Sequence, residues 1–459
     1  MPETDRRRAA GLTLAPAGAG HALQDCAALV LAGGGGTRLR PLTERCAKPA
    51  VPFGGTLRIV DFALANCINS GLREVGVLVQ CEAASLQRHL EAAWAGAPLS
   101  LLPPPPGSAG YAGTADAVRQ HLPRLRERGV RRVVVLAGDH VVRMDLARLL
   151  AEHRGRQADV TVATIAVPLA QARGFGVLRT LTGGRVAGFT EKPRHPEPMP
   201  GRSDAALASM GIYVFEAELL ARELERDAAD PHSAHDFGRD LLPALVGRAR
   251  VFAHDFALSC VAAGGDEGLV GEPYWRDVGT LDAYWAAHQD LLGPLPAVDL
   301  ADPAWPLQPG SGARPARCVA WRGVGESLLG AECRIGEAHV HRSVLGPGVR
   351  VGDGSVVDRS VLLPGAVVGH GVVLRRAIVD AGCVLPDRLR VGENEAEDRA
   401  RFEVSEGGVT VITQAMLDAV RPLPRPLVAV RPTAAAVRPQ PAGGVLSGGG
   451  SLARPLSMP

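Results

Sequence analysis

A run of six apolar residues, Ala27-Ala28-Leu29-Val30-Leu31-Ala32, ends directly in four consecutive glycines, Gly33 to Gly36. The run is short and uncharged, which fits a strand buried on both faces of a parallel sheet. Glycine then lets the backbone turn sharply and approach a ligand with no Cβ in the way. A turn of this kind gathers N–H donors into a concavity, and such nests hold phosphate oxygens. Arg38, Arg40 and Lys48 follow and put positive charge beside it. The feature directs the chain toward a layered α/β sheet whose ligand crevice lies beyond the carboxyl ends of the strands.

Glycine by itself argues little here, because 55 of the 459 residues are glycine, against a usual level of about 7%. The spacing is neither GxGxxG nor GxxxxGK[ST], so the dinucleotide fingerprint and the P-loop are both disfavoured. Lysine usage says more. Of 50 basic residues only two are lysine, Lys48 in Ala47-Lys48-Pro49 and Lys192 in Glu191-Lys192-Pro193. A site that needs a compact point charge on phosphate does not accept the exchange for arginine. Both lysines are therefore candidate anion contacts.

The chain length implies two or three domains. A formal net charge of +2 gives no general reason to expect nucleic acid or an acidic membrane as partner, and no run approaches the ~18 apolar residues of a membrane span. The eight cysteines are scattered without a CxxC pair, which fits buried thiols in a reducing cytoplasm rather than a disulfide framework or zinc site. Arg6-Arg7-Arg8 precedes a stretch broken by Pro and Gly, a poor export signal.

Residues 1–24 read as a flexible extension. Residues 25–295 alternate β-rich runs with amphipathic stretches. Strands are expected at 27–32, 75–80, 132–137 and 160–167, and helices at 57–69 (stopped by Gly71), at 83–94, from a Thr114 cap over 114–122, and at 281–292. Residues 102–113 contain four prolines in a row and read as a loop over the crevice. A Pro-rich linker is placed at 296–320. Over 325–392 apolar residues recur in a loose six-residue rhythm, through Leu345, Val351 and Val357, then Ile378 and Val384, then Leu385 and Val391, the mark of a left-turning parallel β-helix. That domain is bounded at 321–421, with a strand at 408–413 and a short helix at 414–420. Residues 422–459 read as a disordered tail.

Asp139 follows an apolar strand at the sheet edge, and Asp277 sits in Trp275-Arg276-Asp277. Mg²⁺ takes one or two carboxylates plus phosphate and water, so the pair suits it. Each also fits a turn aspartate, and Asp277 a salt bridge to Arg276. Arg38 suits a leaving pyrophosphate because its fork binds two oxygens at once. Gln80, at a strand end, could read a base edge through its amide. His339, His341 and His370 raise acyl transfer, but no nearby carboxylate or Cys completes a ligand set or triad.

Five motifs stand in order: the glycine loop with Thr37-Arg38-Leu39 and Ala47-Lys48-Pro49-Ala50-Val51, LAGDH at 136–140, FTEKP at 189–193, SMGIYVF at 209–215 and YWRDVGT at 274–280. Together they resemble the bacterial glucose-1-phosphate adenylyltransferases over roughly residues 26–420. The resemblance implies a Rossmann-like nucleotidyltransferase domain followed by a left-handed β-helix, and formation of ADP-glucose and pyrophosphate from ATP and α-D-glucose 1-phosphate for glycogen synthesis. It implies catalytic roles for Arg38, Lys48 and Asp139, and Mg²⁺ on Asp139 and Asp277. Gly33, Gly34 and Gln80 would meet the nucleotide. Lys192 would anchor the sugar phosphate and Glu191 its hydroxyls, with Tyr111, Gly176 and Ser209 as further contacts. A homotetramer is expected, answering to a sugar-phosphate activator and to AMP or phosphate. The chain departs from the family at Arg40, where lysine often serves the activator, at Gly110 and Ala112 beside Tyr111, and at Gln414, which leaves the effector open. A UDP- or dTDP-sugar pyrophosphorylase and a non-catalytic regulatory subunit are the rival readings.

Overall fold

The computed structural model describes residues 23–80, 82–261, 273–308, 316–321 and 323–419. The extension and the tail expected at the two ends lie outside these residues, except that Leu23 is buried in the core and its carbonyl accepts from the Cys26 amide. Leu23, expected within the extension, is thus part of the described structure.

Among the described residues, nine strands build the central sheet. They are β1 Cys26–Leu31, β2 Val75–Leu78, β3 Leu99–Leu102, β4 Arg132–Ala137, β5 Val160–Pro168, β6 Gly176–Thr180, β7 Val186–Glu191, β8 Ala205–Glu216 and β9 Val251–Asp255. Their order is β7-β6-β8-β4-β1-β2-β3, with β5 paired to both β8 and β9. Strands β1 to β4 are parallel, whereas β8 runs antiparallel to β4 and β5. The four strands expected from apolar runs are all present. The hairpin β6–β7 has only short apolar stretches among exposed positions, whereas the long β8 is apolar and buried along most of its length yet is not among the strands expected from the sequence.

Side chains of β1 alternate between two cores, Ala28 and Val30 on one face and Ala27 and Leu29 on the other, all fully buried. That accounts for an unbroken apolar run where a one-sided sheet would show alternation. The helix expected from residue 57 begins at Val60, because Leu57–Arg58 pairs with Pro52–Phe53 in a small antiparallel ladder. Gly71, at φ 87°, takes the chain out of that helix. Thr114 does not cap its helix. Gly113 is the capping position, and the helix runs Thr114–Glu127 through Pro123. The Thr114 hydroxyl instead donates to Asp236 Oδ2 at 3.0 Å and accepts from the Phe237 amide at 3.1 Å.

The C-terminal part is a parallel β-helix. Val340 pairs with Val357, Val357 with Leu374 and Leu374 with Val391, a repeat of 17 residues per coil. Its interior residues step by 5, 6 and 6: Val340, Leu345, Val351, Val357, Leu362, Val368, Leu374, Val379, Leu385, Val391. A strict six-residue rhythm slips out of phase against this series. Ile378 and Val384 are accordingly not interior. Side chains alternate across a strand, so Val379 points inward while Ile378 points outward into the first of the two sheet cores, and Val384 is 56% exposed. Val344, Val361, Ile378 and Val411 all join that first core, together with Leu281 and Tyr284 of the helix Leu281–Gln289. Trp285 Nε1 on the same helix donates to the Arg359 carbonyl at 2.7 Å, and Asp282 accepts from the Ser405 hydroxyl at 2.6 Å and the Gly407 amide at 3.1 Å.

Candidate active site

A cleft of about 480 Å³ opens at the carboxyl ends of β1, β2 and β4, lined by Gly33, Gly34, Gly36, Arg38, Lys48, Gln80, Tyr111, Thr114, Asp139 and Gly279 among others. The glycine turn leads into a single helical turn, Thr37–Leu39, which buries Leu39 and leaves Arg38 exposed on the cleft wall. Gly36 lies at φ 56°, and a Cβ there would sit 2.9 Å from Lys48 Cβ and from Thr43 Cγ2. No other residue fits that close approach without displacing the lysine.

Lys48 is buried, and its ammonium lies 2.8 Å from Asp139 Oδ2 and 3.1 Å from Asp277 Oδ1. Burial alone would push its pKa down. The two carboxylates outweigh burial and hold it above its usual value. Burial likewise pushes the Asp139 carboxyl up, and the neighbouring His140 and the Lys48 ammonium outweigh that and hold it below the usual carboxylate range. Asp277 reaches the pair on the short strand Trp275–Asp277, which is antiparallel to His140–Val142. The salt bridge of Asp277 to Arg276 is not formed: Arg276 pairs with Asp290 at 2.9 Å. Asp139, His140 and Asp277 each present an atom within 4.8 Å of the others, a set that could hold a metal ion. Gly279 lies beside them. A Cβ there would fall 2.9 Å from Asp277 Oδ1 and 3.0 Å from Arg38 Nη2, so its missing side chain lets the cation and the carboxylate share one wall.

Gln80 and Tyr111 meet directly, Gln80 Oε1 accepting from the Tyr111 amide at 2.6 Å. The Tyr111 hydroxyl donates to the Leu102 carbonyl at 2.9 Å, which ties the proline loop back to the end of β3. The remaining predicted residues lie at the start of β6, the end of β7 and the register shift within β8. Glu191 ends β7, a Cβ at Gly176 would fall 2.9 Å from its Oε2, and its Oε1 pairs with Lys192 at 3.0 Å. Lys192 is exposed and sits at φ 44°. Its amide donates to the Phe175 carbonyl, and the Phe175 ring packs edge-on against Trp275, two residues before Asp277. Ser209 is buried, 3.4 Å from the Tyr213 hydroxyl. Arg40 is exposed and does not line the cleft.

Two family profiles match the chain. One, described as nucleotidyl transferase, covers residues 27–293, and one, described as GlmU-like C-terminal hexapeptide, covers 317–412. The glucose-1-phosphate adenylyltransferase of Nitrosospira multiformis is 46% identical over 404 residues, 85% of this chain and 94% of that protein. That of Paramagnetospirillum magneticum is 47% identical over 408 residues, again 85% and 94%. This chain belongs to the glucose-1-phosphate adenylyltransferase family. Nucleotidyl transferases commonly work with a divalent metal, and the Asp139–His140–Asp277 group is of the right chemistry for one.

Reading for adenylyltransferase motifs passes over several residues that the fold places beside the site. His140, Tyr213, Trp275 and Gly279 all lie inside the quoted motifs, so a signal for them existed. Thr114 and Asp236 lie outside every motif. Tyr213 stacks on Phe237 at 5.7 Å, and Asp236 caps the turn that carries Phe237 while accepting from Thr114 on the cleft wall. This contact joins the cleft to the residues around Glu191, and only the three-dimensional fold reveals it.

Proposed function

We propose that the protein forms ADP-glucose and pyrophosphate from ATP and α-D-glucose 1-phosphate. The observation that carries this reading is Lys48 held between Asp139 and Asp277 in a glycine-walled cleft, with Arg38 on the same wall. Nucleotidyl transfer brings two anions together, so the protein must offset repulsion, fix the line of attack and stabilise charge on the leaving group. No side-chain nucleophile is needed.

In this reading the sugar-phosphate oxygen attacks the α-phosphorus in line. Gly33, Gly34 and their neighbours offer backbone donors to the triphosphate, Lys48 supplies an ammonium to it, and the Arg38 fork takes the departing pyrophosphate. Asp139 and Asp277 would hold a divalent ion, proposed as Mg²⁺, which screens the phosphates when bound. Lys192 meets the phosphate of the sugar substrate. Glu191 accepts from its hydroxyls, with Gly176, Ser209 and Tyr111 shaping the surroundings. Gln80 already spends its oxygen on Tyr111, so its amide N–H is the part left for the adenine edge. We further place the reaction in the cytoplasm, in glycogen synthesis, with residues 25–295 as the catalytic domain, 296–320 as linker and 321–421 as the β-helix domain of a homotetramer. A sugar-phosphate activator and AMP or phosphate as inhibitor complete the proposal, with Arg40 at the activator site. No described helix is long and apolar enough to cross a membrane.

Pyrophosphate release with glucose 1-phosphate and Mg²⁺ tests the reading, comparing ATP, UTP, dTTP and GTP with and without fructose 6-phosphate and fructose 1,6-bisphosphate. Strong preference for ATP supports it. Turnover with UTP or dTTP instead moves the protein to a sister specificity, and no turnover by folded protein favours a regulatory subunit.

A further inference from the structure

His140 stands beside the two carboxylates with its ring fixed on every side that matters. Its Nδ1 lies 3.1 Å from the Met210 carbonyl oxygen. A carbonyl only accepts, so Nδ1 carries a proton and donates it, which leaves Nε2 free to offer a lone pair. The Met210 carbonyl is in reach because β8 shifts register between Ser209 and Tyr213, with Gly211 at φ 67° in the shift. A Cβ at Gly211 would come within 3.3 Å of His140 Cε1, so the bulge grips the ring closely. Trp275 meets the ring edge-on at 5.3 Å and 82°.

So held, Nε2 points at Asp139 Oδ1, 3.6 Å away, and at Asp277 Oδ1, 4.0 Å away. Both separations are too long for hydrogen bonds. They fall between the about 3 Å of adjacent and the about 4.2 Å of opposite ligands at about 2.1 Å from one centre, so one ion is in reach of all three atoms. Asp139 divides its oxygens accordingly: Oδ2 accepts from Lys48 at 2.8 Å, and Oδ1 faces His140. A ligating histidine almost always donates its other N–H to a carbonyl or carboxylate, which fixes its tautomer, and the Met210 contact has that form.

We propose that His140 is a nitrogen ligand to the divalent ion held by Asp139 and Asp277, and that it raises the site's affinity for Mn²⁺ and Co²⁺ above what the two carboxylates alone would give. The proposal rests on the metal reading of the carboxylate pair given above. Mg²⁺ seeks oxygen ligands, whereas later divalent ions gain from an imidazole.

The test is electron spin echo spectroscopy of Mn²⁺ bound to the full-length protein without nucleotide. A ¹⁴N coupling is expected in the wild type, replaced by a ¹⁵N pattern when the protein is made with [¹⁵N]histidine. His140→Gln should lose the coupling and bind Mn²⁺ about tenfold or more weakly, with a smaller change for Mg²⁺. Bound Mn²⁺ with no nitrogen coupling in the wild type overturns the proposal, and the labelled wild type decides even if the variant fails to fold. Asp277→Asn separates the two levels. Unchanged Mn²⁺ affinity there sinks the metal reading itself, whereas weakened binding without nitrogen coupling in the wild type sinks only the role of His140.

Discussion

Arg38 and Lys48 carry the same charge into the same cleft under opposite conditions. Lys48 is buried and locked between Asp139 and Asp277, whereas Arg38 is exposed on a single helical turn and free to close on an incoming anion. Arg38→Ala should therefore fold as the wild type does and lose about 10² to 10³ in rate, the usual cost of one donor aimed at developing charge. Steady-state pyrophosphate release together with circular dichroism checks both halves, and wild-type turnover in the variant removes Arg38 from the mechanism. A buried residue makes the other prediction at this scale. His288 is 1% exposed, its Nε2 accepting from the Gly54 amide at 3.2 Å and its Nδ1 donating to the Tyr284 carbonyl at 2.9 Å. Burial lowers its pKa to about 4, so between that value and the unfolded value of about 6.5 the unfolded chain binds the extra proton. Stability is then full above pH ~6.5 and falls as pH drops toward 4, by on the order of 3 kcal/mol for this group. Urea titrations at pH 7 and pH 5 should show the loss, and His288→Gln, which keeps one acceptor and one donor, should flatten it.

At the scale of elements, the β-helix is held by more than its apolar interior. Ser327, Ser343 and Ser360 are all buried, one per coil. The hydroxyl of Ser327 accepts from the Ser343 amide, that of Ser343 from the Ser360 amide and that of Ser360 from the Ala377 amide, at 3.1, 3.1 and 3.2 Å. Each also donates to the carbonyl two residues before it, at 2.7, 2.8 and 2.8 Å. Ser360→Ala strands the buried Ala377 amide, while the Asp358 carbonyl keeps the Arg376 amide at 3.1 Å, and should cost about 1–3 kcal/mol. Chemical denaturation checks the loss, and a change within error would mean that the ladder is incidental. The serines recur every 16 or 17 residues in the sequence, so the ladder was legible in principle. The six-residue expectation hid it, just as it mis-phased Ile378 and Val384. Five-residue steps at one face of each coil are invisible to a fixed period, and the corners that absorb them hold Arg342, Arg359 and Arg376 at φ 45°, 44° and 50°, where glycine would have been the readable sign.

The whole molecule shows where local reading stops. Lys48 meets Asp139 across 91 residues and Asp277 across 229, distances no spacing rule connects. Each residue was legible as chemistry, through lysine scarcity or a carboxylate after a strand, but the sheet order and the pairing of Trp275–Asp277 with His140–Val142 that bring them together were not. The same holds for the outward residues of the β-helix. Val344, Val361 and Ile378 look like ordinary β-helix positions in sequence, yet they pack into the core that continues through Leu281 and Tyr284 toward β1. A core shared in this way couples the unfolding of both parts. Ile378→Ala should cost about 2–5 kcal/mol, the range for deleting a buried aliphatic side chain. The loss should be felt equally by the sheet that carries the active site. Trp285 touches the β-helix through the Arg359 carbonyl, so in a Trp285→Phe, Trp321→Phe background the fluorescence of Trp94, Trp275 and Trp305 reports on the N-terminal part while far-ultraviolet circular dichroism reports on the whole. Coincident midpoints that move together in Ile378→Ala are expected for one cooperative unit. A fluorescence midpoint that stays put while the dichroism shifts would show the β-helix unfolding alone, and the shared core would then be a contact surface rather than part of one fold.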